Sequence, residues 1–446
     1  MNEAKDILSF LGIPGEKIEH YQVIDNETSL TIFIELKDIR TPCPNCRKTN
    51  IKIKDYYETT IRHSIISNKK IIVKIKNRRY ICPDCKITFK QDYGLTEKGS
   101  TISNTTKLAI VDDLKTKTTI LQIAKNRNVS PTTVRLILDK SIPYQIQLPF
   151  PEVICIDEFC YKHSEIKDGK YPAVLSDPFS GDIIDIISSR RKKTLIDYFN
   201  KVKIKDRFNV KYYISDMNET YRDICRIFFK NAIHIVDRFH IIKAFNDAIS
   251  KIRTRILKQE IYYKDAEYRY LKKNWKIFLM NRDKTNSIKF VDKNGVVMTL
   301  SEQIDLCLRR YPELYYAYWV KQEFLQATKR LLLYSQAEKT MEFFINKFES
   351  SLIEEIQKIG KTFRRWRLQI INGLVRNPYK KRLTNAMAES NNNSIQTLID
   401  LSYGIPVFER MRKRVLYINR NREKKSPYKK DWNRNFQSSI FCFTTP

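Results

Sequence analysis

Two cysteine pairs of identical spacing, Cys43-Pro-Asn-Cys46 and Cys82-Pro-Asp-Cys85, are the residues most plainly arranged for chemistry. Two thiolates separated by two residues reach one ion, and a second such pair completes a tetrahedron. A zinc ion held this way is structural, because no position stays open for substrate. Four buried free thiols or a redox pair are the alternatives, but neither explains two pairs flanking a basic segment. Carboxylates form the second set. Val153–Glu158 and Tyr212–Asp216 are apolar runs that end in acid. Adjacent parallel strands would bring Asp157 and Asp216 together, and like charges so placed require a cation between them. Clustered carboxylates with few His or Cys ligands suit Mg²⁺ or Mn²⁺. A third acid, Glu389, lies in a helix expected to begin near Thr384, where Asn385, Glu389, Asn392, Asn393 and Gln396 share one face by i, i+3, i+4 spacing. Amides around one carboxylate make a poor core and a sensible lining for a metal and phosphate site.

The elements that must carry these residues are legible in the hydropathy pattern. Between the cysteine pairs, Ile51, Ile53 and Tyr56–Ile61 alternate with Lys and Glu. After the turn-like Ser67-Asn68, Ile71, Val73 and Ile75 alternate with Lys74 and Lys76. Strand, turn, strand and second knuckle is the order of a zinc ribbon. Residues 51–100 hold 12 Lys and Arg against 5 acids, so Lys74, Lys76, Arg78 and Arg79 are expected to face DNA. His63 reads as a surface or packing residue, since the tetrahedron is already full.

From Thr101 the period becomes helical, with Ile102, Leu108, Ile110, Val111 and Leu114 on one side. Ala124 is small enough for two helices to approach, Asn128 tolerates a left-handed turn, and Ser130-Pro131 is an N-cap followed by proline at the first helical position. A helix-turn-helix fits this pattern better than an ordinary helical hairpin. Thr132, Thr133 and Arg135 then stand where base edges or phosphates are met. Pro143, Pro149 and Pro151 mark a linker into the next domain.

Beyond it the order reads β-β-β-α-β-α-β-α: strands at 153–158, 171–176, 183–188, 212–216 and 232–236, with helices at 192–203, 221–229 and after His240. That order describes a mixed sheet with helices packed on it. Charged, aromatic helical stretches follow, in which Tyr311–Trp319 reads as helix core rather than a base-stacking platform. Residues 361–434 hold 19 Lys and Arg against 5 acids. Arg410, Arg412, Lys413 and Arg414 among them either track a DNA backbone or form a solvated helix face.

The whole chain agrees with these parts. It has 446 residues, 82 Lys and Arg against 50 Asp and Glu, and a net charge of +32. So strong a positive field selects a polyanionic partner, and nucleic acid is the expected one. The 42% apolar content, with 25 Tyr and 23 Phe, excludes a mainly disordered chain. No apolar run is long enough to span a bilayer, and nine scattered cysteines do not make a disulfide framework. A soluble, cytoplasmic, nucleoid-associated protein with no membrane partner is expected.

Taken in order, CPNC and CPDC, IDEF at 156–159, SDM at 215–217, VDRFH at 236–240 and TNAMAESNNNSIQ at 384–396 resemble the insertion-sequence transposases of the DDE class, specifically the ISL3 family. The resemblance covers nearly the whole chain. Met387 or a neighbour stands where the family usually has Gly, and Gln396 where it has Lys; neither removes a carboxylate. It implies a multidomain α+β protein with an N-terminal region and zinc ribbon over 1–95, a helix-turn-helix over 100–145, and an RNase-H-like catalytic domain over 150–420. A helical insertion over about 250–375 and a basic tail over 421–446 complete it. It also implies Asp157, Asp216 and Glu389 as a catalytic triad holding Mg²⁺ or Mn²⁺, with structural Zn²⁺ on the four cysteines. Asp237, His240, Asn385, Asn392 and Asn393 become possible support, although His240 at a helix start also reads as a packing residue. Glu158, next to Asp157, is expected on the other face of its strand and is set aside. The implied activity is binding of the element's terminal inverted repeats followed by cleavage and strand transfer into target DNA. A dimer or larger assembly would hold two ends. The alternative is a catalytically silent DNA-binding regulator derived from such an enzyme.

Overall fold

The computed structural model describes residues 17–90, 94–142, 148–161, 171–259, 266–291, 297–402 and 404–422. The expected tail from 421 lies outside them except for Asn421 and Arg422, as does Pro143 of the expected linker.

The N-terminal sheet comprises β1 (Ile18–Asp25), β2 (Ser29–Leu36), β3 (Lys52–Ile66), β4 (Lys69–Ile81) and β5 (Thr88–Lys90), in the order β1-β2-β4-β3 with β5 also on β4. β3 and β4 are the hairpin that the alternation predicts. Ser67 and Asn68 both have positive φ, at 49° and 63°, the backbone of a two-residue turn whose twist matches that of its strands. Ile61, Ile71, Val73 and Ile75 fall on the buried face and pack with Ile32 and Ile34 of β2. The β1–β2 hairpin, which the cysteine spacing does not announce, adds to the ribbon through parallel pairing of β2 with β4.

Three helices follow: α1 (Asn104–Asp113), α2 (Ile120–Asn126) and α3 (Pro131–Ser141). Side chains of Ser103, Thr119 and Ser130 cap them by accepting from Thr106, Gln122 and Thr133 amides. Asn128 takes φ 53° at the turn, and Ile123, Ala124, Val134, Ile137 and Leu138 close the small core. α2, turn and α3 form the helix-turn-helix. Leu108 departs from its expected place on the apolar side and is 70% exposed, because Thr106, Ile110 and Leu114 form the buried face at i, i+4 spacing and a position midway between two of them points the opposite way.

The third unit is a five-stranded sheet of β6 (Val153–Glu158), β7 (Ala173–Ser176), β8 (Ile183–Ile187), β9 (Tyr212–Ser215) and β10 (Ile233–Val236). Its order is β10-β9-β6-β7-β8, with β6, β9 and β10 parallel and β7 antiparallel to both neighbours. This is the RNase-H-like arrangement. Helices α4 (Lys192–Lys201), α5 (Ile204–Asn209) and α6 (Glu219–Phe228) join its strands.

Between β10 and the last two helices lies the helical insertion. It runs through α7 (Arg238–Gln259), α8 (Ala266–Lys273), α9 (Arg282–Asn286), α10 (Leu300–Leu308), α11 (Pro312–Ala327), α12 (Tyr334–Glu349), α13 (Glu354–Arg365) and α14 (Arg367–Leu374). A small hairpin of β11 (Lys289–Val291) and β12 (Val297–Thr299) interrupts it. Phe245, Phe324, Phe348 and Phe363 meet ring to ring in its centre. Tyr311, Leu314, Ala317 and Tyr318 are buried there with Tyr316 and Trp319 packed against that core, so most of the aromatic run is core, while Tyr315 is exposed.

The chain then returns to the sheet as α15 (Ala386–Leu401), which packs on β6 and β7, and α16 (Phe408–Asn421), which packs on β8. Among the described residues no helix is long and apolar enough to cross a membrane.

Candidate active site and zinc centre

The cysteine site is built by two matching knuckles. Arg47 N–H donates to Cys43 O and Lys86 N–H to Cys82 O, both at 2.9 Å, and Arg47 and Lys86 both take φ 61°. These turns aim four sulfurs at one point: Cys43 and Cys85 Sγ are 3.5 Å apart, as are Cys46 and Cys82, and all four lie within 4.8 Å of one another. A zinc–sulfur bond of about 2.3 Å sets tetrahedral sulfurs about 3.8 Å apart. The donor set therefore fits structural zinc, and Ile51 and Tyr80 shield it from one side. His63 takes the packing alternative: it is buried and bonds Ser103 Oγ at 2.8 Å, tying the ribbon to the cap of α1.

The carboxylates come from strand ends. Pairing of Cys155 with Ile214 on parallel β6 and β9 sets Asp157 and Asp216, two residues on, level with each other. Pairing of Ser215 with Val236 sets Asp237 level with Asp216. Burial pushes Asp157 up to about 6 against the Glu158 N–H, which lowers it; the charges of Glu158, Asp237 and Glu389 add to the rise. Burial likewise pushes Asp216 up to about 7, with Glu158 and Asp157 adding to it. Glu389, in the first turn of α15, is raised by partial desolvation of its carboxyl and then by Asp237. The acids thus sense one another. Among the described residues, however, only the four cysteines bring three or more candidate ligand atoms within 4.8 Å.

Amides and helix starts hold this cluster. Asn392 Nδ2 donates to Asp157 Oδ2 at 3.0 Å and to Glu158 O at 3.2 Å. Asp237 is buried; its carboxylate accepts the Asn385 N–H at 2.9 Å and the Phe239 N–H at 3.1 Å, so it caps α15 and α7 together. Asn385 is the N-cap residue of α15, Asn393 is exposed, and Gln396 turns to Asp400. His240 begins α7 beside Asp237, and burial lowers its pKa. Asp216 Oδ1, Asn385 Oδ1 and Asn392 Oδ1 are buried without a hydrogen-bond partner. All three are acceptors, which a hydrated divalent cation satisfies and a protein donor here does not.

Glu158 is on the expected side of its strand. It does turn from Asp157, accepting from Arg190 and, at 2.8 Å, from Tyr221 Oη. Its charge is nevertheless the largest carboxylate influence on Asp216. The signal was present in the sequence as two adjacent acids, which alternate sides of a strand that ends at the site.

The cations expected on DNA divide differently. Thr132 and Arg135 are exposed at the start of α3 and Thr133 is half-buried there. Lys74, Lys76 and Arg79 are surface groups that pair with Glu58, Glu35 and Asp55. Arg78 is 6% exposed and donates to Leu36 O and Glu19, so its guanidinium faces protein acceptors. The α16 cluster is likewise held by protein groups. Arg410 grips the Asp139 carboxylate of α3 at 2.7 and 3.0 Å, Arg412 pairs with buried Asp185 at 2.7 Å, and buried Lys413 donates to Asp139 O at 2.8 Å. These cations face protein acceptors, through which α16 is tied to α3 and β8.

Two family models match the chain. One, described as a transposase, covers residues 154–415, from β6 to α16. The other, described as the zinc-finger of transposase IS204/IS1001/IS1096/IS1165, covers residues 39–85 and includes all four cysteines. A search of curated proteins finds no match. The larger match spans well over half of the chain and carries every strand-end acid named above, and on that ground the chain belongs to the ISL3 family of transposases.

Proposed function

We propose that this transposase binds the terminal inverted repeats of its own element and carries out metal-dependent cleavage and strand transfer. The observation that supports it most is the level pair Asp157 and Asp216, both raised by burial, beside orphaned acceptor oxygens. Asp157, Asp216 and Glu389 would hold Mg²⁺ or Mn²⁺. Bound there, the metal supplies an activated nucleophile and stabilises the leaving 3′ oxygen of a phosphodiester. The chain's own part is positional. Asn392 orients Asp157, Asp237 anchors the start of the Glu389 helix, and the Glu158–Arg190 pair fixes the approach beside Asp216. End recognition falls to the zinc ribbon together with Thr132, Thr133 and Arg135 on α3, and two ends would be held by a dimer or larger assembly. We set the domain limits near 95–100 and 145–150.

The test uses the purified chain and labelled duplexes from both flanks of its gene, with Mg²⁺ or Mn²⁺. Nicking or joining at one defined position is expected, and Glu389→Gln should reduce it at least ~100-fold, since it removes a metal-holding carboxylate. Specific binding with no strand cleavage under either metal would instead support the silent regulator.

A further inference from the structure

Away from the carboxylates, a cleft of about 850 Å³ opens where the edge of the catalytic sheet meets the helical insertion. Tyr212, Ala232 and Ile233 line it at the amino ends of β9 and β10, whereas Asp216 and Asp237 follow the carboxyl ends of the same strands. Buried Cys225, Phe229 and His234 form its floor. Burial pushes His234 down to about 4, so it adds no charge there at neutral pH. The rim is different in kind. Arg226, Lys230 and Arg376 are exposed around it, together with Tyr334 and Leu368.

The rim cations are poorly neutralised. Arg226 stands 3.5 Å from Asp223, but that carboxylate is already held by Lys192 at 2.6 Å. Among the described residues, the side chains of Lys230 and Arg376 have neither a hydrogen bond nor an ion pair. Exposed cations around an apolar floor and an exposed aromatic ring match the backbone of a nucleic-acid duplex, with phosphates at the rim and a sugar edge over the ring and floor. A free inorganic anion would leave the floor and the ring unused.

We propose that this cleft is a second DNA-binding site, remote from the carboxylates, which holds a duplex by its phosphates at Arg226, Lys230 and Arg376. That the polymer is DNA rests on the transposase reading. A strand-transfer enzyme must hold two DNA segments, and the two ends of one sheet keep them apart.

The experiment measures binding of a random-sequence duplex to the full chain over a range of salt concentrations. Lys230→Ala/Arg376→Ala is expected to make the negative slope of log K against log salt shallower by about 1.8, two phosphate contacts' worth. The control is Lys272→Ala/Lys273→Ala, which removes two exposed charges outside the cleft and should leave the slope unchanged. An unaltered slope in the cleft variant, or an equal change in both variants, overturns the proposal. Flank cleavage by the wild-type chain is scored separately. If the chain cuts and the slope ignores the cleft, the cleft alone is wrong; if the slope responds and nothing is ever cut, the cleft stands and the catalytic reading falls.

Discussion

Asp216 shows how much a single carboxylate is asked to bear. Its pKa of about 7 lies well above the ordinary aspartate value of 3.8, and the cause is burial followed by the neighbouring charges of Glu158 and Asp157. A raised pKa means that the metal-free fold prefers the protonated acid. Its stabilising contribution is therefore complete below about pH 4 and is lost as pH rises through about 7. By linkage the difference between those limits is up to about 4 kcal/mol. Asp216→Asn removes the titrating charge, so the metal-free variant should melt above the wild type at pH 8, with the gap closing towards pH 4. Adding Mg²⁺ should raise the wild type and leave the variant unmoved. A variant that melts lower than the metal-free wild type at pH 8 would mean that the carboxylate is satisfied by protein and awaits no cation.

Elements explain which parts of this molecule the sequence pattern exposes. The ribbon hairpin and the helix-turn-helix are short-range objects: alternation, a Ser-Asn turn, a Ser-Pro start and the cysteine spacing all act within a few residues, so they are legible. The acids at 157 and 216 are legible because a buried parallel strand is an unbroken apolar run, and its end is conspicuous. The role of α16 is hidden for the opposite reason. Arg410, Arg412 and Lys413 read as a basic face, and their partners Asp139 and Asp185 lie more than two hundred residues earlier. The same long range hides the pairing of β2 with β4 and the Asp237 cap on α15. That α16 is a clamp is testable at its own scale. Arg410 and Asp139 form a forked, partly buried pair, the stronger kind of ion pair. A double-mutant cycle with Arg410→Ala and Asp139→Ala should therefore give a coupling energy of about 1 kcal/mol in urea unfolding. A coupling indistinguishable from zero would return Arg410 to the solvent and reopen its availability to DNA.

At the scale of the whole molecule the units are joined in series. The ribbon meets the helix-turn-helix through His63 on Ser103, Ser64 on Thr106 and a strand bridge between Arg62 and Ile102. The helix-turn-helix meets the catalytic sheet through α16, whose other face packs Met411, Val415 and Leu416 against Ile183 and Ile186. Damage at the zinc should therefore stop at the first joint. The chain is suited to show this, because its four tryptophans are Trp275, Trp319, Trp366 and Trp432, and none precedes the insertion. Metal analysis is expected to give one zinc per chain for the wild type and none for Cys82→Ser/Cys85→Ser, which should also lose far-UV strand signal, since Cys43, Cys82, Ile51 and Tyr80 share one small core. Tryptophan emission should stay where it is, because Trp319 and Trp366 pack with the insertion core, which holds no ribbon residue. Binding to element ends should fall in the same variant. If the emission shifts to the red instead, zinc supports the fold beyond the ribbon, and the serial description is wrong at the joint between His63 and Ser103.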